Sequence, residues 1–360
     1  MVVFICRRLI LTFFDLFLFV CGLCFWVTLA NPLSKKAKIM STLITGGTGF
    51  IGSCLAEDLI GEGERPVLYD VAPVRGTLRE MEADVDFVQG SLSNLSELLN
   101  CLDQYSVDRI FHLGGLLSLP SETNPWASFE ANVKGTYNML EAGRIKRVKQ
   151  FIYASTIATY SKGITSDVVY DHTIQRPTTM YGVTKVFGEL LGRFYSRKFD
   201  LDFRGVRLPS VVGPGAKTAH MSIYNAWAIE EPLRGRPYEL RCEPETKCPV
   251  IYFKDVVRAL KLLAQAERSH ISTMIYNLAG ISPPFSAREL VDTVRTRIPE
   301  ARLTFNPDQK VMELLREIGR LKIDDSCAQS EWGWHVAYSL EEMVDDFIGE
   351  FKKKSSYYLE

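Results

Sequence analysis

The sequence predicts an α/β chain built on a doubly wound parallel sheet, with a smaller C-terminal lobe. Three observations predict it. From residue 41 onward, short apolar β-rich runs alternate with stretches of helical spacing, as strands joined through crossover helices do. The first of these runs meets a glycine cluster that opens a helix-patterned segment. The 360 residues are 46% hydrophobic and 24% charged, which suffices for a full core and excludes a disordered or disulfide-dense chain. A net charge of −1 argues against nucleic acid as a partner, because gripping phosphates needs a basic surface.

The near-neutral total hides two unlike pieces. Residues 1–39 carry Arg7, Arg8, Lys35, Lys36 and Lys38 against Asp15, a net of +4, while the remaining 321 residues hold 37 basic and 42 acidic side chains, a net of −5. The stretch 9–30 is apolar at 18 of 22 positions. A span needs about 20 such residues. Asp15 weakens a span by roughly 2.5–3.5 kcal/mol if it sits near the bilayer centre. Three readings of this leader stand: an anchor giving membrane association through residues 9–30, a secretory signal cut near Thr28-Leu29-Ala30, or an upstream extension outside the working protein, since Met40 directly precedes the first strand. The body itself reads as cytoplasmic. Its five cysteines, Cys54, Cys101, Cys242, Cys248 and Cys327, are odd in number and lack metal-ligand spacing, so unpaired thiols and no metal are expected. Asn94-Leu95-Ser96 is a formal glycosylation sequon.

The body opens with strand Ser41–Thr45, the glycines Gly46, Gly49 and Gly52, and a helix-patterned run from Phe50 to Leu59. Glycine at this spacing allows a tight turn, lets the backbone amides around Phe50 and Ile51 approach a pyrophosphate, and lets helix pack on strand. A second strand, Pro66–Asp70, ends in an acid 18 residues beyond Gly52. A carboxylate there accepts both ribose hydroxyls and repels a 2′-phosphate, so the expected cofactor is NAD, with Arg75 the one nearby residue that softens the preference. Strands follow at Asp86–Gln89, Arg109–Leu113, Gln150–Ala154 and Asp202–Leu208. Helices separate them at Asn94–Tyr105, Pro125–Ala142 and Met180–Arg197. This is a Rossmann-type order, with its ligand at the carboxyl ends of the strands.

Strand Gln150–Ala154 runs into Ser155-Thr156, and Tyr181-Gly-Val-Thr-Lys185 begins 25 residues after Thr156. Tyrosine and lysine at i and i+4 share a helix face. An ammonium beside a phenol stabilises the phenolate and lowers its pKa. Such a phenolate can take the proton of a secondary alcohol as hydride leaves, while Thr156 holds the same oxygen by a hydrogen bond. Tyr181, Lys185 and Thr156 are therefore the candidate catalytic residues.

The whole body resembles the extended short-chain dehydrogenase/reductase family, also called the NAD-dependent epimerase/dehydratase family. The matching pieces are Thr45–Gly52, Phe111-His-Leu-Gly-Gly115, Asn132-Val-Lys-Gly-Thr136, Tyr181–Lys185 and Arg207-Leu-Pro-Ser-Val-Val-Gly-Pro214. Within the family the likeness is greatest to short-chain-type L-threonine 3-dehydrogenases. It rests on Leu116-Leu-Ser118 with Glu122-x-Asn124-Pro125, Ser155-Thr-Ile-Ala158, Thr179–Lys185, Asp325-Ser-Cys-Ala328 and Glu331-Trp-Gly-Trp334. The resemblance implies that Tyr181 transfers the proton and that Lys185 activates it and contacts the ribose. It implies that Gly46, Gly49, Gly52 and Asp70 hold the cofactor, that His112, Gly114 and Asn132 line the cleft, and that Pro209 begins the stretch facing the nicotinamide. Ser118 matches a substrate-side serine. For His112 and Asn132, packing at a strand end and a backbone-bonding amide are equal alternatives. A homodimer through the helices after Pro125 and Met180 is usual among similar enzymes.

Two departures bear on substrate. Sugar-nucleotide epimerases usually carry Asn where this chain has Ser210, which counts against a UDP-sugar. Threonine dehydrogenases carry a Gly-Thr-Thr-Asp-Tyr loop where this chain has Lys217-Thr-Ala-His-Met221. This correspondence implies that Lys217 and His220 line the substrate side, which favours a carboxylate or other anionic hydroxylated molecule over an amino acid; the alternative is that the loop is merely variable. The expected organisation is a leader 1–39, a cofactor domain 40–208 bearing Tyr181 and Lys185, a mainly substrate-binding lobe 209–352 whose segment 250–266 returns to the sheet, and a tail 353–360. The expected activity is NAD-linked oxidation of a secondary alcohol on a small polar substrate: threonine-like, a hydroxy acid or a sugar acid. The alternatives are an epimerase or dehydratase with no net redox, and a non-catalytic NAD-binding protein associated with a membrane.

Overall fold

The computed structural model describes residues 40–74, 76–160, 164, 166–216 and 222–358. The leader 1–39, with its three readings, lies outside them. Among the described residues no helix is long and apolar enough to cross a membrane. The strands are Thr42–Thr45 (β1), Val67–Asp70 (β2), Asp86–Gln89 (β3), Arg109–His112 (β4), Gln150–Thr156 (β5), Val168–Val169 (β6), Asp202–Leu208 (β7), Ser210–Val212 (β8), Tyr238–Leu240 (β9), Val250–Tyr252 (β10), Ile275–Asn277 (β11), Leu303–Phe305 (β12) and Lys322–Ile323 (β13). The helices that matter below are Phe50–Gly61 (α1), Leu95–Gln104 (α2), Ser118–Thr123 (α3), Pro125–Ser128 (α4), Gly135–Ile145 (α5), Met180–Phe199 (α6), Tyr224–Leu233 (α7), Phe253–Gln265 (α8), Ala287–Arg297 (α9), Ser326–Trp332 (α10) and Leu340–Lys353 (α11).

Seven strands form one parallel sheet in the order β3-β2-β1-β4-β5-β7-β11. Both faces are covered, which is why the strands read as apolar runs rather than as alternation. Ile44, Leu68, Phe111, Ile152 and Val206 point to α1 and α8. Their neighbours Leu43, Val67, Ile110, Phe151 and Phe203 point to α2, α5 and α6. This confirms the doubly wound α/β expectation. The seventh strand, Ile275–Asn277, lies inside the stretch 209–352 that the sequence allots mainly to the lobe, beyond its returning segment. In the returning segment, α8 packs on the sheet while β10 pairs with β8. A separate core unites α7, α9 and α11 in the lobe. All five cysteines among the described residues are free thiols.

The expected helix 125–142 is not uniform. Between α4 and α5 the chain makes a wide π-helical stretch, Phe129–Lys134, a form frequent at functional sites. Asn132 is buried within it. Its Oδ1 accepts from Leu116 N (2.7 Å) and its Nδ2 donates to Leu116 O (2.9 Å) and to Thr184 Oγ1 (3.1 Å). An amide demanding three partners across two elements outweighs regular helical spacing.

The C-terminal motif Asp325 to Trp334 is a fastening. Asp325 Oδ2 accepts from Ala279 N and Trp334 Nε1, both at 3.0 Å. Glu331 accepts from Ser272 N (2.7 Å), Thr273 N (3.0 Å) and Tyr276 OH (2.5 Å). Burial alone would raise its pKa, yet these donors hold it at about 2. Helix α10 is thereby tied to β11 at the edge of the sheet.

The sheet's interior is braced at the end of β4. The ring of His112 is fully buried; Nδ1 shares a hydrogen bond with Thr45 Oγ1 (2.8 Å) and Nε2 with Thr136 Oγ1 (3.1 Å), and the ring stacks on Tyr153. Burial first, then the charge of Lys185, lowers its pKa to about 3. Native His112 is therefore neutral down to about pH 3, whereas in the unfolded chain it takes up a proton below about pH 6.5. Stability is lost as pH falls through that window, by up to about 1.4 kcal/mol per unit from this residue. The unfolding free energies of wild type and His112→Asn, followed by denaturant titration from pH 7 to pH 4, are expected to converge as the pH drops. A difference independent of pH would show that His112 takes up its proton in the native state at the same pH as in the unfolded chain.

Candidate active site

The site is built where the strand order reverses, between β1 and β4. The turn after β1 places Gly46 at φ +68°, which glycine adopts without strain. A Cβ on Gly46 would lie 2.8 Å from the Cα of Gly114, and one on Gly52 would lie 2.1 Å from Gly46 O. Both closures demand glycine. Gly49 caps α1 without a side chain, and no acid sits in the first turn. The positive end of α1 thus faces the crevice with no protein carboxylate on it, a cradle suited to a pyrophosphate. The side chains of Phe50 and Ile51 turn inward, Phe50 against Gly213 and Phe253, and Ile51 into the sheet–helix core. Their contribution to such a cradle is the backbone.

Asp70 ends β2 at the lip of the same crevice. Its Oδ2 accepts from Thr48 N (3.2 Å) and its Oδ1 from Ala72 N (3.1 Å), which leaves each oxygen a further acceptor site. These residues fit a dinucleotide: small where the backbone must come close, cationic in dipole where phosphate lies, and acidic where ribose hydroxyls lie. Arg75 lies outside the described residues. His112 sits beneath the floor rather than on it. Gly114 N donates to Thr45 Oγ1 (3.2 Å), and Asn132 anchors the loop that follows. Pro209 is buried at the joint between β7 and β8.

Across the crevice, β5 extends two residues beyond expectation, so that Thr156 is its last residue. Thr156 Oγ1 accepts from Ala158 N (3.2 Å). Helix α6 begins at Met180, capped by Thr179 Oγ1 on Gly182 N (3.1 Å). Tyr181 and Lys185 follow one turn apart. Lys185 Nζ is buried, donates to Ala154 O (2.8 Å), and lies 4.9 Å from the ring of Tyr153 and 5.8 Å from that of Tyr181. Burial lowers the Lys185 pKa to about 8, against the opposing charge of Glu189. The expectation that Lys185 depresses the phenol is corrected for the chain alone. Burial outweighs the ammonium, whose hydrogen bond goes to Ala154 O, and the Tyr181 phenol is pushed up to about 12. Ser118 opens the short helix α3 and is half-buried. Lys217 and His220 lie outside the described residues.

Sequence reasoning missed what stands behind this pair. Glu189, one turn beyond Lys185, forms a buried fork with Arg207 of β7: Nη2 to Oε2 at 2.7 Å and Nε to Oε1 at 3.0 Å, with side chains 1% and 3% exposed. Ser155 Oγ and Gln175 Nε2 also bond the carboxylate. Arg207 Nη1 reaches Tyr160 OH (2.7 Å) and Asp171 O (2.9 Å). The available signal was two arginines, 204 and 207, in a strand that parallel packing buries on both faces. A buried charge demands a partner.

The comparisons with known proteins follow this architecture. Residues 42–279 match the model of the "NAD dependent epimerase/dehydratase family". The mitochondrial L-threonine 3-dehydrogenase of Bos taurus is 29% identical over 319 residues, covering 87% of this chain and 83% of that one. The L-threonine dehydrogenase structure from Phytophthora infestans superposes with a TM-score of 0.80 at 30% identity, over 87% of this chain and 99% of that one. UDP-glucose 4-epimerase from Thermotoga maritima has the same fold, with a TM-score of 0.77 at 24% identity over 87% of this chain and 99% of that one. A dehydrogenase-like architecture, a glycine crevice at the strand reversal and a family match over two-thirds of the sequence converge: the chain belongs to the NAD-dependent epimerase/dehydratase family of extended short-chain dehydrogenases/reductases, and is an oxidoreductase like the L-threonine 3-dehydrogenases.

Proposed function

We propose that the protein binds NAD and oxidises a secondary alcohol on a small polar substrate, with Tyr181 as the proton-transfer group. The observation that carries this reading is Lys185 on α6, 5.8 Å from the Tyr181 ring and hydrogen-bonded to Ala154 O of β5, the strand that ends in Thr156. When bound, NAD supplies the hydride acceptor and a cationic ring. The chain does the rest. Thr156 Oγ1 holds the alcohol oxygen, and Tyr181 Oη takes its proton. Lys185, fixed by Ala154 O, supplies the positive charge that favours the phenolate. Asp70 takes the ribose hydroxyls, Lys185 contacts the second ribose, and Pro209 begins the segment facing the reacting ring. Because the phenol must lose its proton, oxidation accelerates as pH rises, until Lys185, whose pKa burial lowers to about 8, gives up the charge that favours the phenolate.

The substrate is a threonine-like molecule, a hydroxy acid or a sugar acid. Relatives at 29–30% identity are L-threonine dehydrogenases by name. Ser210 supports a small substrate over a sugar nucleotide: its oxygen is taken by Ser222 Oγ at 2.8 Å, and an asparagine amide is absent there. Lys217 and His220, in place of the acid-bearing loop of threonine dehydrogenases, support an anionic substrate recognised by its carboxylate. Ser118 faces the same substrate.

A homodimer accompanies this reading. Trp126 on α4, Tyr137 on α5, and Leu190 and Phe194 on α6 are exposed large apolar side chains, Trp126 at 70% and Leu190 at 60%. Such a concentration on adjoining helices suits a second copy of the chain.

Three measurements check these proposals. Residues 40–360 incubated with NAD and a panel of L-threonine, hydroxy acids and sugar acids are expected to accumulate NADH, fastest with an acid that lacks an ammonium group. Substrate conversion without net NADH would indicate an epimerase, and L-threonine as much the fastest substrate would overturn the anionic preference. On the same panel Tyr181→Phe is expected to lose about 10²–10⁴-fold in turnover while binding NADH as wild type does; retained turnover would remove Tyr181 as the base. Sedimentation of the wild type is expected to give the mass of two chains, and Trp126→Glu with Leu190→Glu that of one. A wild-type monomer would contradict the dimer.

A further inference from the structure

The motif Glu122-x-Asn124-Pro125 has no part in the proton transfer described above, yet each of its residues works at a helix end. Asn124 Oδ1 accepts from Ala127 N (3.0 Å), and Pro125 occupies the first position of α4. Glu122 reaches to a different helix. Its Oε1 accepts from Met180 N at 2.6 Å. Met180 is the first residue of α6 and Tyr181 is the second. With Thr179 Oγ1 on Gly182 N, the amides on either side of Tyr181 are both held by side chains, one from the cap of α6 and one from α3. A carboxylate at a helix N-terminus also meets the positive end of the helix dipole.

Helix α3, which carries Glu122, also carries Ser118, the residue read as substrate-side. The other end of this segment is clamped as well. The amide of Asn132 brackets Leu116 on both its N–H and its carbonyl, and Ser128 Oγ donates to Ser121 Oγ at 2.9 Å. Asn132 in turn bonds Thr184 Oγ1, and Thr184 Oγ1 donates to Tyr181 O at 2.8 Å. The stretch 116–123 and the first turn of α6 therefore form one hydrogen-bonded block. Glu122 is its one exposed member that bonds α6 directly, so core packing does not explain the contact.

We propose that Glu122 is a positioning residue for the reaction. By holding Met180 N it sets the first turn of α6, and with it the Tyr181 phenol, relative to a substrate lying on residues 116–123. The proposal rests on the reading of Tyr181 as the proton-transfer group. It acts through a hydrogen bond that either a carboxylate or an amide oxygen can accept.

Steady-state kinetics of Glu122→Ala, Glu122→Gln and Asn124→Ala on the fastest substrate of the panel, with NADH affinity by fluorescence and melting temperature alongside, test it. Glu122→Ala is expected to lower kcat about 5–20-fold through misplacement of the phenol, with NADH affinity unchanged. Glu122→Gln is expected to recover most of that loss. Asn124→Ala, which uncaps α4 alone, is expected to lower the melting temperature while keeping the wild-type kcat. The proposal is overturned if Glu122→Ala keeps the wild-type kcat, if Glu122→Gln is as slow as Glu122→Ala, or if Asn124→Ala loses as much turnover. Tyr181→Phe separates the two levels: turnover retained in that variant removes the Tyr181 reading itself, whereas its loss beside an unaffected Glu122→Ala removes only the role of Glu122.

Discussion

The buried fork between Glu189 and Arg207 is the constraint on which the reacting half of the molecule hangs. Each ion, taken from water alone, would cost several kcal/mol, and the interior repays this only where geometry and further hydrogen bonds are complete. Here they are. Glu189 also takes Ser155 Oγ from the end of β5, while Arg207 reaches Tyr160 and the carbonyl of Asp171. One pair of charges thus joins α6, β5 and β7. Because Glu189, Lys185 and Tyr181 descend one helix face at four-residue intervals, fixing the rotation of α6 at Glu189 fixes it at the other two. The adjoining position on β5, Thr156, follows the Ser155 that the carboxylate holds.

The cofactor half obeys a different constraint, steric rather than electrostatic. Two strand-end turns must nearly touch where the sheet order reverses, and Gly46, Gly52 and Gly114 are the residues that allow it. The neutral His112 beneath them ties β1 and β4 to α5 with no exposed edge. The crevice is therefore shaped by what is missing from the side chains, whereas the reacting wall is shaped by a buried pair of charges, Glu189 and Arg207, that partner each other.

Much of this was legible in the sequence, for stated physical reasons. The parallel sheet announced itself because strands buried on both faces must be continuously apolar, and the crevice because glycines were spaced for a turn and a close approach. Tyr181, Lys185 and Thr156 were legible because helical periodicity and a strand end could be read locally. The network behind them was not. Its members, Ser155, Tyr160, Asp171, Glu189, Arg207 and Asn277, are scattered over more than a hundred residues, and only the fold brings them together. The seventh strand escaped because Ile275–Asn277 is too short to show a period. The π-helical stretch escaped because Asn132 is shaped by its partners on another segment. The phenol's direction of shift escaped because it depends on burial, which a spacing rule does not contain.

The most direct measurement of this account is the paired replacement Glu189→Leu with Arg207→Met, assayed for both unfolding free energy and turnover. Replacing a buried ion pair with apolar residues of similar volume is often neutral for stability. The expected result is a folded variant of near wild-type stability that binds NADH normally and turns over at least about tenfold more slowly, because α6 is no longer held in register with β5 and a small misplacement of the reacting group suffices for such a loss. A variant that stays folded and turns over at the wild-type rate would contradict it.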